Sequence, residues 1–254
     1  MGGHSKLPLA ALYLECGAVP LRFILMSRRI MYLQTILKRN DSELIKKIYK
    51  AQKHNTRKGD FVELVKDNMK ELELNETEEE IENMTKMQLK SKIKIQVEKA
   101  ALKYLNLSKS SKMKPLVYTK IEMQQYLKSR SFAEEEASLL LAMRTRTVRG
   151  IRCDFPGMFP TRECPMVGCR EEDTLPHLFT CTVLLAEVQE VQEVQEGSVM
   201  FTHIYTGTVE QQKKVTTRAR LLLEARQRME EGIPAAQIAG SRAPSGCNIV
   251  QCIV

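Results

Sequence analysis

The sequence predicts a mainly α protein, a bundle-like array of helices, on three observations. Helix-start signatures recur along the chain, apolar residues follow several of them at the helical period, and strand signals are nearly absent. Of 254 residues, 43% are hydrophobic and 6% aromatic, with no Trp. That apolar share can build a core in one generous domain or two small ones, which excludes a wholly disordered or fibrous chain.

The helix starts are capping boxes, a Ser, Thr, Asp or Asn with Glu or Gln three residues on. They stand at Asn40/Glu43, Asp60/Glu63, Thr77/Glu80, Thr85/Gln88, Thr119/Glu122, Ser131/Glu134 and Thr208/Gln211. In each, the two side chains satisfy amide donors that the first helical turn leaves without partners. Asn40 is followed by Leu44, Ile45, Ile48 and Tyr49, and Thr85 by Leu89, Ile93, Val97, Ala101 and Tyr104/Leu105. The run after Thr208 carries Leu221, Leu222, Ala225 and Met229 and stops at Gly232 and Pro234. Lys114–Tyr118 reads as a short strand or an extended linker, and Gly150–Arg162 as irregular because of Pro156, Gly157 and Pro160. Residues 187–196 repeat Glu-Val-Gln three times, which fits an exposed helical extension grown by repeat expansion. The segment 233–254 is rich in small residues and reads as a disordered tail. The expected organisation is a helical region over 8–150, a cysteine-rich subdomain over 151–182, a helical extension over 183–232 and the tail.

Charge is unevenly placed. Lys and Arg number 39 against 31 Asp and Glu, a net charge of +8. Residues 17–60 hold 11 Lys/Arg against 3 Asp/Glu, residues 86–130 hold 12 against 2, and residues 61–85 hold 2 against 9. Two basic blocks around an acidic one suggest a polyanion-binding surface with an acidic interruption. The stretch 7–26 is broken by Pro8, Glu15, Pro20 and Arg22, a poor membrane span. Gly2 lacks the Ser or Thr that myristoylation wants, and Cys252 lacks the spacing of a prenylation box. A soluble intracellular protein is expected, with the nucleus among its locations, no membrane partner and no small-molecule substrate.

Seven cysteines are an odd number, and three crowd together beside a histidine, which argues against a secreted disulfide framework. The cluster is Cys164-Pro-Met-Val-Gly-Cys169, then His177, then Cys181: a C-x4-C-x7-H-x3-C set. Three thiolates and one imidazole suit tetrahedral zinc, and four protein ligands make a closed, structural site of knuckle type. Reduced thiols without metal are the alternative. Pro165 and Gly168 lie where the chain must turn tightly, and Thr174 is placed to cap a short helix carrying His177 and Cys181. Those two are four apart and share one helical face.

Residues 12–33 carry Glu15, Gly17, Pro20, Arg22, Phe23, then Ser27-Arg28-Arg29, then Tyr32-Leu33. Lys58-Gly59-Asp60 with Val65, Leu140-Leu141 with Arg144-Thr145-Arg146, and the Cys164–Cys181 run with Glu171-Glu172-Asp173-Thr174 follow. This series resembles the helical, zinc-knuckle region after the polymerase core of non-LTR (LINE-type) retrotransposon reverse transcriptases, over about residues 8–231. The family usually separates its first two cysteines by two residues, where this chain has four. The resemblance implies a module that grips template RNA or target DNA near the polymerase.

It does not imply polymerisation. Two-metal chemistry needs closely placed aspartates, and the five present (41, 60, 67, 154, 173) are scattered. No Asp…Glu-x-Lys nuclease cluster occurs in 182–254. The expected function is therefore a non-catalytic nucleic-acid-binding fragment, not an enzyme. Its phosphate contacts are expected from Arg28, Arg29, Lys38, Arg39, Lys46 and Lys47, and from Arg144, Arg146, Arg149 and Arg152 ahead of the cysteines. Tyr32, Tyr49, Phe61 and Tyr104 fall at core-facing spacing, which leaves few rings for base stacking. The alternatives are a scaffold whose acidic and basic helices pair with a partner protein, and a transposon-derived reading frame without selected function.

Overall fold

A computed structural model describes residues 8–109, 116–148, 150–155, 157–188 and 194–232. They form twelve α-helices: α1 Leu9–Cys16, α2 Leu21–Leu37, α3 Leu44–His54, α4 Phe61–Glu71, α5 Glu78–Asn83, α6 Lys86–Leu107, α7 Gln125–Lys128, α8 Glu134–Thr145, α9 Leu175–Thr180, α10 Thr182–Glu187, α11 Val194–Thr206 and α12 Val209–Glu231. Among the described residues there is no sheet, only isolated antiparallel bridges at Cys16–Met123 and Glu163–Glu172. The fold is mainly α, as the periodicity predicts.

The helices divide into two compact units. Residues 17–108 with 118–122 form one, here the charged unit, and the rest of the described chain forms the other, the cysteine unit. Residues 123–148, grouped by the sequence with the N-terminal helical region, belong to the cysteine unit.

In the charged unit α2 is central, packed by α3, α4, α5 and α6. Phe23, Met26, Ile30, Leu33 and Leu37 recur every three or four residues on its buried face. Leu89, Ile93, Val97, Ala101 and Leu105 do the same on α6, and Val62 and Val65 on α4. Burying each large side chain contributes roughly 1.5–3 kcal/mol. The Gln34 amide is buried within this packing and donates to Ile81 O and Met84 O, both at 2.9 Å, fixing α2 against the α5–α6 junction. Full capping boxes start α5 at Thr77, α6 at Thr85 and α12 at Thr208, and Asp60 caps α4 by accepting from the Glu63 amide.

Three predicted starts differ. The helix after Asn40 begins only at Leu44, where the Asn40 amide donates to the Glu43 carboxylate. The cap expected at Ser131 lies at Ala133, whose amide donates to Glu136; alanine has no oxygen to return the bond. Thr119 starts no helix, because the following segment is drawn out by the Cys16–Met123 bridge and the Gln124 amide, which donates to Glu15 O. Leu116–Tyr118 has no regular structure.

The cysteine unit is built on α12, which buries Val215, Ala219, Leu222 and Ala225 and packs on α7 to α11. It ends at Gly232, whose φ of +70° is the left-handed conformation that a Cβ disfavours. The same core holds Leu139, Leu140 and Met143 of α8 with Leu175, Leu178 and Phe179 of α9. Helix α1 is tied in by a buried network: Arg144 Nε donates to Glu15 at 2.8 Å, and Tyr126 Oη donates to the other carboxylate oxygen at 2.9 Å. The Glu-Val-Gln tract lies partly outside the described residues, between α10 and α11, and 233–254 lies wholly outside them. No single described helix is long and apolar enough to cross a membrane.

Candidate metal centre

Residues 163–172 turn back on themselves. Glu163 and Glu172 form a bridge, Cys164 donates its amide to Glu171 O at 2.9 Å, and Asp173 donates its own to Arg162 O at 2.8 Å. Gly168, at φ +88°, makes the tight return before Cys169, a backbone conformation that explains a glycine there. Thr174 accepts from the His177 amide and starts α9 with Pro176 in the first turn. His177 therefore lies on α9 and Cys181 at its end.

This local folding brings the four predicted ligands together. The sulfur atoms of Cys164, Cys169 and Cys181 and a ring nitrogen of His177 all lie within 4.8 Å of one another. Cys164 Sγ and Cys181 Sγ are 3.9 Å apart, and Cys169 Sγ lies 3.3 Å from His177 Nε2. A tetrahedral ion with metal–sulfur bonds of about 2.3 Å separates its sulfur ligands by about 3.8 Å, so the spacing fits one ion. Cys164 and Cys181 are buried, Cys169 and His177 partly so. The cluster can hold a metal ion.

Burial sets the protonation of the cluster when no cation is present. Burial pushes the Cys164 thiol up to about 12, and the neighbouring thiols of Cys181 and Cys169 add to it. Burial likewise raises Cys181. Working against this, the Met166 amide donates to the Cys164 sulfur and the Leu184 amide to that of Cys181, contacts that favour thiolate. Burial lowers His177 and favours the neutral imidazole a metal ligand requires, although Asp173 and Glu171 oppose it. Cys153 is outside the cluster; its thiol faces Arg162 O at 3.6 Å.

Two features of the centre come from the tertiary structure. The first is that Cys164, Met166 and Cys181 pack into the main core of their unit, because so short a segment cannot bury its own apolar side chains. The second is Asp173, fully buried beside the ligands. Arg226 of α12 grips it with two bonds of 2.7 Å and also donates to Gly150 O, while the Arg152 amide donates to Asp173 Oδ2 at 2.6 Å. Burial opposes the Arg226 charge, but the Asp173 and Glu230 carboxylates more than offset it and hold the guanidinium above its ordinary value. No sequence signal links residues 53 apart.

The predicted phosphate-binding residues fall in both units. Arg144 is a correction: it is buried, paired with Glu15 and donating to Ile204 O at 2.7 Å, so it is spent on the core. Lys46 is largely covered as well, donating to Leu37 O and facing Glu82 at 3.5 Å and Asp41 at 3.8 Å. Arg146 lies over the Phe201 ring and donates to Tyr205 Oη, and Arg152 lies over Phe159. Arg149 lies outside the described residues. Arg28, Lys38, Arg39 and Lys47 are exposed and Arg29 half-buried. Arg28, Lys38 and Arg39 line one open cleft of about 600 Å³ together with Lys86, which the sequence reading missed because it comes from another helix.

The acidic block pairs with part of the basic blocks beside it. Glu71 pairs with Arg22, Glu73 with Lys99, Glu76 with Lys92, Glu78 with Lys53 and Glu82 with Lys46, all within the charged unit. Among the described residues, Arg28, Lys47 and Lys86 make no ion pair. The aromatic expectation also changes: Tyr49 is buried, but Tyr32 and Tyr104 are 49% and 42% exposed. No protein-family model, curated protein or solved structure matches this chain.

Proposed function

We propose that the chain is a non-catalytic nucleic-acid-binding module, equivalent to the post-polymerase region of a LINE-type reverse transcriptase. In this reading zinc organises the cysteine unit and basic helices of the charged unit grip RNA or DNA phosphates. One observation carries it. After the acidic segment has neutralised its neighbours, Arg28, Lys38, Arg39 and Lys86 stay together on one cleft with a single carboxylate, that of Glu43. Arg39 meets Glu43 at 3.5 Å across an exposed pair, and Lys38 donates to a neutral carbonyl, Met84 O. Such pairs are weak in water, so a phosphate competes readily for both cations.

Zinc is the metal that three thiolates and an imidazole favour, and four protein ligands leave no open position for a reacting group. Three of the five aspartates have structural work, which supports a non-enzymatic role. Asp41 is held by Lys50, Asp60 caps α4 and Asp173 is held by Arg226. The alternative scaffold reading has less behind it, because five of the acidic side chains that it would offer a partner are already paired within the charged unit. Filter binding of the full chain to RNA and to duplex DNA over a series of salt concentrations tests the proposal. Three or four phosphate contacts predict that log K falls against log salt with a slope of about −2 to −4. No retention at low salt, or retention indifferent to salt, overturns it.

A further inference from the structure

Tyr32 is the half-exposed ring in the cationic cleft. It stands on α2 one turn beyond Arg28 and, with Lys38, Arg39 and Lys86, lines the open cleft of about 600 Å³. Its 49% exposure contrasts with the burial of Leu33, Ile36 and Leu37 just after it. The ring is nonetheless held in place. Phe61 meets it edge to face, with centroids 5.7 Å apart and planes at 85°, and Phe61 is itself steadied by buried Tyr49 at 6.4 Å. A ring braced on one side and open on the other has little rotational freedom to lose when something stacks on it.

We infer that this cleft takes a single-stranded segment of polynucleotide, with one base stacked on Tyr32 and the flanking phosphates on Arg28, Lys38, Arg39 and Lys86. The inference rests on the nucleic-acid reading above and narrows its substrate. Bases inside a duplex are already stacked on their neighbours and show only their edges in the grooves. A tyrosine face amid cations therefore selects a strand whose bases are free. The stacking is sequence-tolerant, because every base has a π face.

The test compares binding of wild type, Tyr32→Ala and Tyr32→Phe to an oligo(dT) strand of about 12 nucleotides and to a duplex of equal length. Tyr32→Ala is expected to bind the strand about 5- to 150-fold more weakly, with an unchanged salt slope and unchanged duplex binding, while Tyr32→Phe restores the affinity. A direct readout comes from Tyr32→Trp. The chain has no Trp, so the introduced indole reports alone. Its fluorescence is expected to be quenched by the strand, and not by inorganic polyphosphate, which has the charge without the bases. Full affinity in Tyr32→Ala, equal losses on strand and duplex, an unquenched indole, or equal quenching by polyphosphate each overturns the stacking site. Each of those outcomes leaves salt-dependent binding of the wild type intact. Failure of the wild type to bind any polynucleotide at low salt overturns both readings.

Discussion

Two buried ion pairs anchor the cysteine unit, and each joins residues far apart in sequence. Arg226 holds Asp173, and Arg144 holds Glu15 across 129 positions. Removing one partner of such a pair leaves an uncompensated charge in the core. Arg226→Met is therefore expected to destabilise the protein by about 3–5 kcal/mol, read as a lower midpoint in urea denaturation. Adding Asp173→Asn should return part of that loss, because the buried charge then goes too. An Arg226→Met midpoint equal to wild type would mean the pair is idle. Neither pair is legible in the sequence. Arg144 reads there as one more basic residue ahead of the cysteines, and only the fold turns it inward to Glu15. The four metal ligands are the opposite case. They lie within 18 residues, so local turn and cap chemistry suffices to assemble them, and spacing alone found them.

Among the helices, the same contrast separates caps that work from caps that do not. Thr85 closes a full box and is followed by an apolar residue on every turn of α6, all of them buried. Thr85→Ala is expected to cost about 0.5–2 kcal/mol in urea denaturation. Thr119→Ala, at an identical sequence signature, should cost close to nothing, since Thr119 stands on no helix. Equal losses at the two sites would contradict the helix assignment. The Thr119 motif misleads because a box is only a local offer, and tertiary bonds to Glu15 and Cys16 draw that segment out instead. Charge between helices is legible only as composition. The acidic block and its basic flanks are plain in the sequence, but that they neutralise one another depends on the crossing of α3, α4, α5 and α6.

That pairing sets a pH dependence for the charged unit. Hydrogen bonds from Lys50, Lys99 and Lys92 hold Asp41, Glu73 and Glu76 below their ordinary carboxyl values of 3.8, 4.5 and 4.5. Carboxyls lowered in the folded state take up protons first in the unfolded state. Their contribution is thus complete above the ordinary range and is lost as pH falls through and below about 4. Denaturation midpoints should hold from neutral pH to about 5 and drop below 4, and high salt should shrink the drop because these pairs are exposed. A midpoint that rises on acidification would contradict the pairing. For the molecule as a whole, the net charge of +8 is then no uniform field. Part of it is cancelled where it stands, and Arg28, Lys38, Arg39 and Lys86 form one local concentration of what remains, on the α2 cleft.

In the proposed function, Cys164, Cys169, His177 and Cys181 hold one structural zinc ion within the core of their unit. A structural zinc of this kind adds apparent folding free energy of about 10–16 kcal/mol at neutral pH. Since Cys164 and Cys181 share the core with α8 and α12, its loss should loosen the whole cysteine unit and not just residues 164–181. The most direct measurement is the metal content of the full chain purified from zinc-replete cells, beside Cys164→Ser and His177→Ala. One zinc per chain is expected in the wild type, lost in both variants together with protection of α12 from proteolysis. A folded wild type without metal, or variants that keep their zinc, would contradict it.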